Sequence, residues 1–305
     1  MRKSTQFSLW LVAALALTCA AQGQDDRFLV CYPNAPGSAR RAEPIMQTFG
    51  SYVGERLGRR VRPVYFNELR AAKDWMSQGM PRHGILSLSL YLRWRDEHGL
   101  RVVAHAERGG KGTGRYHLLV LAKSKLKTLA DLASREGACV WSAHLDDARF
   151  ASRVVFGGQL QVKEVVTAEG ETAPGLPGGR VRVVSSTRAL SALRRMQQGK
   201  PYKGNPVDAV LVDDTSWEGL QQLKRFKGVF RVLYASSPLP TAPVVSFRDV
   251  PESESKRLGE VLGGMKSDDE GRKILKTLQA TGFAPPQREA LAGLVARYEG
   301  KEGSK

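Results

Sequence analysis

The stretch Asp26-Arg27-Phe28-Leu29-Val30-Cys31-Tyr32-Pro33-Asn34-Ala35-Pro36-Gly37, followed by apolar residues at Ile45, Phe49, Val53 and Leu57, decides the fold class. A short apolar run stopped by two prolines and a glycine reads as a strand entering a loop. The spacing that follows is one face of a helix, which Gly58 stops. The alternation continues outward, with strands expected at 61–66, 85–90, 100–106 and 116–122 and a helix at 68–80 before Pro81. In 85–90 the apolar residues alternate with Ser87 and Ser89, which suits a strand.

The pattern then restarts. Helices are expected at 129–133, 150–156 and 187–198, with strands at 138–143, 162–166, 181–184 and 207–212. Residues 170–180 form an exposed Gly/Pro-rich loop. Extended segments at 230–234 and 244–247 flank Pro238 and Pro240. Three helices close the chain at 253–266, 270–281 (ended by Gly282) and 288–298. Strand–helix alternation of this kind implies mostly parallel sheets covered by helices. Two α/β units with the last helices returning to the first is the economical arrangement.

The N-terminus carries an address. Met1-Arg2-Lys3 precedes the apolar run 7–21, FSLWLVAALALTCAA. A positive start and a short apolar core make a secretory signal, too short for a membrane span. Cleavage is expected near Ala21–Gly23. Acylation at Cys19 and an uncleaved anchor are the alternatives. Roughly 280 residues then remain, enough for two lobes with their own cores.

The chain holds 47 Lys and Arg against 30 Asp and Glu, a net charge of +17. The basic residues are scattered, with no arginine-rich arm, finger spacing or aromatic RNA-binding segment, so a solvated basic surface is expected and no nucleic acid partner. Cys31 and Cys139 each lie in an apolar strand-like segment and are expected to be buried free thiols in different lobes. No Cys/His spacing suggests a metal, and no cofactor is expected. The stretch 109–114, GGKGTG, lacks both the spacing and the following helix of a phosphate loop and reads as a turn between strands.

Four segments, in order, resemble the phosphate/phosphonate-type (PhnD-like) branch of the type 2 periplasmic substrate-binding proteins that serve ABC importers. They are Gly84 to Leu92 (GILSLSLYL), Lys127 to Leu132 (KTLADL) with the turn Ser142 to Asp147 (SAHLDD), Val207 to Asp214 (VDAVLVDD), and Ser236 to Pro240 (SSPLP) with Gly271, Ile274-Leu275 and Gly282-Phe283. The resemblance implies two Rossmann-like α/β lobes joined by a two-stranded hinge, with residues 24–120 plus 235–305 as lobe 1 and 121–234 as lobe 2. The C-terminal helices then pack on lobe 1. It also implies a monomer without catalysis that binds a small polar solute, phosphorus-containing solutes included, and delivers it to an ABC permease.

Such receptors hold solutes at strand ends and helix starts, where free N–H groups favour anions. The residues expected to bind solute are therefore Asn34, Ser87, Ser89, Tyr91, Ser142, His144, Asp146, Ser186, Thr187, Asp213 and Asp214. Family members commonly present a Ser-Thr-Ser-Gly-like turn where this chain has Leu145-Asp146-Asp147-Ala148. Two carboxylates there are good helix caps. They would also compete with a bound phosphonate for the same N–H groups, which points to another solute. Two other readings stay open. One is a sensory or partner-binding protein of the same fold. The other is a periplasmic hydrolase with Ser142 as nucleophile and His144 as base, although no Gly-x-Ser-x-Gly elbow is present.

Overall fold

The computed structural model describes residues 25–167 and 170–301, so the expected leader, the cleavage region at Ala21–Gly23 and Cys19 lie outside the described residues. In chain order, the first sheet collects β1 (Asp26–Cys31), β2 (Val61–Phe66), β3 (His83–Leu86) and β4 (Arg101–Glu107). After β5 (Thr113–Gly114), a second sheet takes β6 (Tyr116–Leu121), β7 (Cys139–Ser142), β8 (Val162–Val166), β9 (Thr172–Pro174), β10 (Val181–Ser185), β11 (Ala209–Asp213) and β12 (Phe230–Ala235). The chain returns through β13 (Leu239–Pro240) to β14 (Pro243–Ser246) and β15 (Gly282–Ala284) in the first sheet.

The sheet orders are β15-β4-β14-β3-β1-β2 and β12-β6-β11-β7-β10-β8-β9. Each has a parallel centre: β1 runs parallel to β2 and β3, and β7 to β10 and β11. Each also has one antiparallel strand inserted, β14 between β3 and β4 and β6 between β11 and β12. These two are the first strands laid down after each passage between lobes. The passages themselves pair with each other, Gly114 opposite Leu239 and Thr113 opposite Pro240, as a two-stranded hinge. The first passage therefore precedes Tyr116, a few residues before the 120 boundary expected from sequence, because the apolar run of β6 belongs to the second sheet.

Both faces of each sheet are covered. On β1, Phe28 and Val30 pack with Met46, Phe49 and Val53 of helix α1 (Ala39–Leu57), while Leu29 and Cys31 face the opposite core, with Ala72 and Met76 of α2 (Leu69–Ser77) and Leu90 and Trp94 of α3 (Leu88–Trp94). That is why the strand is apolar at successive positions. A short helix α4 (Leu129–Ser134), closed by a Thr128–Asp131 capping box, precedes β7. In the second lobe Cys139, Trp141 and Val184 pack against Ala192, Leu193 and Met196 of α5 (Ala189–Gln197) and Leu220 of α6 (Asp214–Gln222). Cys31 and Cys139 are buried and free, in different sheets.

Helices α7 (Glu252–Gly264) and α8 (Asp269–Thr277) return to the first lobe, with Leu258, Leu262, Ile274 and Leu275 in the core under α1. The last helix, α9 (Arg288–Glu299), departs from the expected packing on lobe 1 alone. Its Glu299 pairs with Arg95 of the first lobe, while the Tyr298 carbonyl accepts from Arg153 Nη1 at 2.9 Å in the second. Two other expectations change. The strand over 85–90 ends at Leu86, because Ser87 caps α3 by accepting the Leu90 N–H at 3.2 Å. Gly282 does not end a helix; α8 stops at Thr277 and Gly282 opens β15.

Candidate functional site

The parallel strands of both lobes deliver their carboxyl ends to one place, where an α/β sheet ordinarily binds ligands. From β1 the chain runs to Tyr32-Pro33-Asn34, from β3 to Ser87, from β7 to Ser142-Ala143-His144, from β10 to Ser185-Ser186, and from β11 to Asp213. Backbone bonds lock these ends in step: Tyr32 N–H to Phe66 O, Ser87 N–H to Cys31 O and Ser186 N–H to Ser142 O, at 3.0, 3.0 and 2.8 Å. Asn34 holds φ at +61°, a left-handed conformation that asparagine tolerates better than most residues.

Four side-chain contacts, forming three bridges, cross between the lobes here. Asn34, buried at 5% exposure, donates from Nδ2 to Ser185 Oγ at 2.7 Å. Ser89 Oγ on α3 donates to Asp146 Oδ1 at 2.7 Å, and Arg93 Nη2, one turn on, reaches Asp146 Oδ2 at 3.4 Å. Arg108 Nη1, beside the hinge, meets Asp213 Oδ2 at 3.2 Å. Among these bridges lie Tyr116 and His144, their rings 5.5 Å apart. Formal charge at the bridges is balanced, Arg93 and Arg108 against Asp146 and Asp213.

Electrostatics follow from enclosure. Burial pushes Tyr32 up to about 12 and Tyr116 higher still, so both phenols stay protonated donors. Burial lowers the His144 imidazole, with Arg108 adding to the effect while Asp213 and Asp146 oppose it. Burial works against the Asp213 charge, but His144, the Ser216 hydrogen bonds and Arg108 outweigh it and hold the carboxyl below its ordinary range. Burial raises Asp146 against the opposing pull of Arg93 and Ser89. The arrangement presents neutral donors and acceptors with one paired charge of each sign at either end.

The expected residues divide accordingly. Asn34, Ser89, His144, Asp146 and Asp213 meet at the strand ends. Ser87 is spent on its helix cap, and Tyr91 is buried in the core below α3. Ser142 is fully buried and its hydroxyl donates to Leu211 O at 3.2 Å while accepting the His144 backbone N–H at 3.0 Å. His144 thus gives Ser142 its amide and not its ring, and among the described residues no side-chain base is hydrogen-bonded to the serine hydroxyl. Ser186 accepts the Arg188 N–H at 3.2 Å, and its neighbour Ser185 makes the cross-lobe contact instead; Thr187 follows, half-buried. Asp214 is tied into the hinge by Arg115 N–H at 2.7 Å and His117 Nε2 at 2.6 Å. The two acids expected to cap one helix also separate: only Asp147 does so, accepting the Phe150 N–H at 2.7 Å at the start of a π-helical turn, Phe150–Val155.

Tyr32, Arg93, Arg108 and Tyr116 were not anticipated. Arg108 owes its position to the glycine-rich stretch after it, which forms the expected turn through paired Arg108–Lys111 backbone bonds at 2.9 and 3.0 Å. Among the described residues, no three His, Cys, Asp or Glu side chains are grouped to hold a metal ion. No described helix is long and apolar enough to cross a membrane. Two surface hollows lie away from the strand ends. One of about 570 Å³ sits between α1 and β2, and one of about 320 Å³ is lined by Met80, His98 and Phe247.

This is the fold of the type 2 periplasmic substrate-binding proteins. Residues 203–291 match the family model described as ABC transporter, phosphonate, periplasmic substrate-binding protein. Several solved structures share the architecture. A Xanthomonas citri protein bound to ATP superposes with a TM-score of 0.68 at 16% identity, covering 92% of this chain and 100% of its own. A binding-protein component of an ABC phosphonate transporter from Pseudomonas aeruginosa gives 0.60 at 14%, covering 92% and 90%. PhnD1 from Prochlorococcus marinus in complex with methylphosphonate gives 0.60 at 11%, covering 90% and 99%. No curated protein sequence matches the chain. The chain therefore shares the fold of these phosphonate-type binding proteins, and the family match over residues 203–291 supports a solute-binding role.

Proposed function

We propose that this chain is an exported receptor that closes its two lobes over a small polar solute and hands it to an ABC permease, without a chemical step. The observation that carries the reading is the set of cross-lobe bridges, Asn34–Ser185, Ser89–Asp146 and Arg108–Asp213, ringing Tyr116 and His144 at the strand ends. Closure about a hinge is how such a cleft excludes water from a small ligand. The solute-contacting residues in this reading are Asn34, Tyr116, His144, Ser185 and Asp213. With charges already balanced at the bridges, the suited solute is neutral or zwitterionic. Methylphosphonate, bound in a structural relative, and phosphate are expected to bind weakly.

A thermal-shift screen of phosphate, phosphite, phosphonates, sulfonates and small amines tests this. A micromolar solute at millimolar concentration stabilises by about 4 kcal/mol, and His144→Ala is expected to reduce that response. A solute that binds equally well to the His144→Ala and Asn34→Ala proteins would place binding elsewhere. For export, fractionation should recover a chain in the periplasm that begins after the Ala21–Gly23 region. One observation favours a sensory role in the same fold: the Asp146 bridges join the lobes through the chain's own groups. Loss of solute uptake on gene deletion separates transport from sensing.

A further inference from the structure

We propose that Ser89 and Arg93 form an anion seat in the cleft, and that the chain fills this seat with its own Asp146 carboxylate. The inference rests on the solute-binding reading and names what that site rejects. Asp146 does not cap the following helical turn, because the neighbouring Asp147 does so, accepting the Phe150 N–H with Oδ1 and the Tyr298 hydroxyl with Oδ2 at 3.0 Å. Both Asp146 side-chain oxygens instead reach into the other lobe, Oδ1 to the Ser89 hydroxyl and Oδ2 to the Arg93 guanidinium. The carboxylate is 8% exposed there.

The occupant leaves donors of the seat unused. A guanidinium offers five N–H donors in a planar fork. The Arg93 contact to Asp146 is 3.4 Å long, and its Nε is buried with no hydrogen-bond partner among the described residues. A phosphoryl or phosphonyl group, with three oxygens, satisfies a hydroxyl and a guanidinium together better than one carboxylate does. Burial also disfavours the Asp146 charge, so the contact is held at a cost. Only closed lobes bring the carboxylate to Ser89. Asp146 therefore excludes phosphate-sized anions and latches the closed form with the same atoms.

Removal of the carboxylate exposes the seat. Titration of inorganic phosphate and of methylphosphonate by calorimetry at low salt is expected to give little binding to the parent chain. Asp146→Ala is expected to bind at least about tenfold tighter, a 1.4 kcal/mol difference. The pair Asp146→Ala/Arg93→Gln is expected to lose that gain. Asp146→Asn, which keeps the shape and removes the charge, guards against misfolding and is expected to show a smaller gain of the same sign. The proposal fails if Asp146→Ala and Asp146→Asn, both folded by circular dichroism, bind no more anion than the parent. It fails equally if Arg93→Gln leaves the gained binding intact, or if the parent already binds methylphosphonate tightly. That last result would leave the receptor reading standing. Gained anion binding in a chain whose parent answers no solute in the thermal screen would sink the receptor reading and leave the seat.

Discussion

The clearest pH handle on this protein is His83, on β3. It is 1% exposed, with Nδ1 3.0 Å from Ser246 Oγ and Nε2 3.4 Å from Arg59 Nη2. A guanidinium can only donate, so Nε2 must be the bare nitrogen and Nδ1 must carry the proton, donating to the serine. Protonating Nε2 would set an N–H against Arg59 inside the lobe. Burial, and then the charges of Arg59 and Arg82, lower this imidazole from its ordinary 6.5 to about 4. A histidine lowered in the folded state gives stability that is full above the unfolded value and is lost as pH falls toward the folded one. Across that window of about 2.5 pH units, at 1.36 kcal/mol per unit, the loss is about 3 kcal/mol. His83→Gln retains a donor and an acceptor without a titrating proton. In urea unfolding at pH 7, 6, 5 and 4.5, the parent should lose more stability on acidification than His83→Gln does, the difference reaching about 2 kcal/mol or more. His98, His105 and His144 are also lowered, chiefly by burial, and act in both proteins alike. Parallel stability profiles for the parent and His83→Gln would refute the assignment, whatever the absolute stability of either.

Helix α1 meets β2 through Gly50, where an added Cβ would lie 2.5 Å from Pro63 Cδ and 2.7 Å from Val61 O; Gly50→Val should cost about 1–3 kcal/mol, and an unchanged melting temperature would contradict that packing. Asp268 caps α8 through the Gly271 N–H at 2.6 Å and accepts the Tyr52 hydroxyl at 2.6 Å, so Asp268→Ala should destabilise by about 1–2 kcal/mol in denaturant titration. Ser142→Ala removes two internal hydrogen bonds and should cost about 1 kcal/mol; a hydrolytic activity that disappears with it would revive the enzyme reading. Cys31 and Cys139 are fully buried and burial pushes both thiols up to about 12, so a thiol reagent should label neither until denaturant is added.

Strands buried on both faces announce themselves as apolar runs, and β1 and β7 fall where such runs predict them. The segment after Leu86 does not, because α3 is buried at every position except Arg93 and so shows no polar face to betray a helix. What separates strand from helix there is one hydroxyl, Ser87, capping one N–H. Asn34, His144 and Asp213 were legible as polar residues at or just past strand ends, whereas Ser89 stands on α3 and Asp146 caps no helix. The partners of these residues were not legible. Asn34 and Ser185 are 151 positions apart, and their contact exists only because the hinge folds one lobe onto the other. Arg93 and Arg108 were invisible for another reason: in a chain with 47 lysines and arginines, two that face inward carry no local mark.

The Asp146 bridge sets a threshold as well as a preference. A group carried by one lobe meets its seat in the other at an effective concentration on the order of millimolar or above, whatever the dilution outside. Every dissolved anion competes with that tethered one and loses its own translational freedom in doing so. Scarcity in the surrounding solution cannot weaken the internal competitor, so occasional weak anions leave the lobes where they are. A solute that uses the Asn34, Tyr116 and His144 side of the cleft escapes this competition altogether, and its affinity reads directly as occupancy.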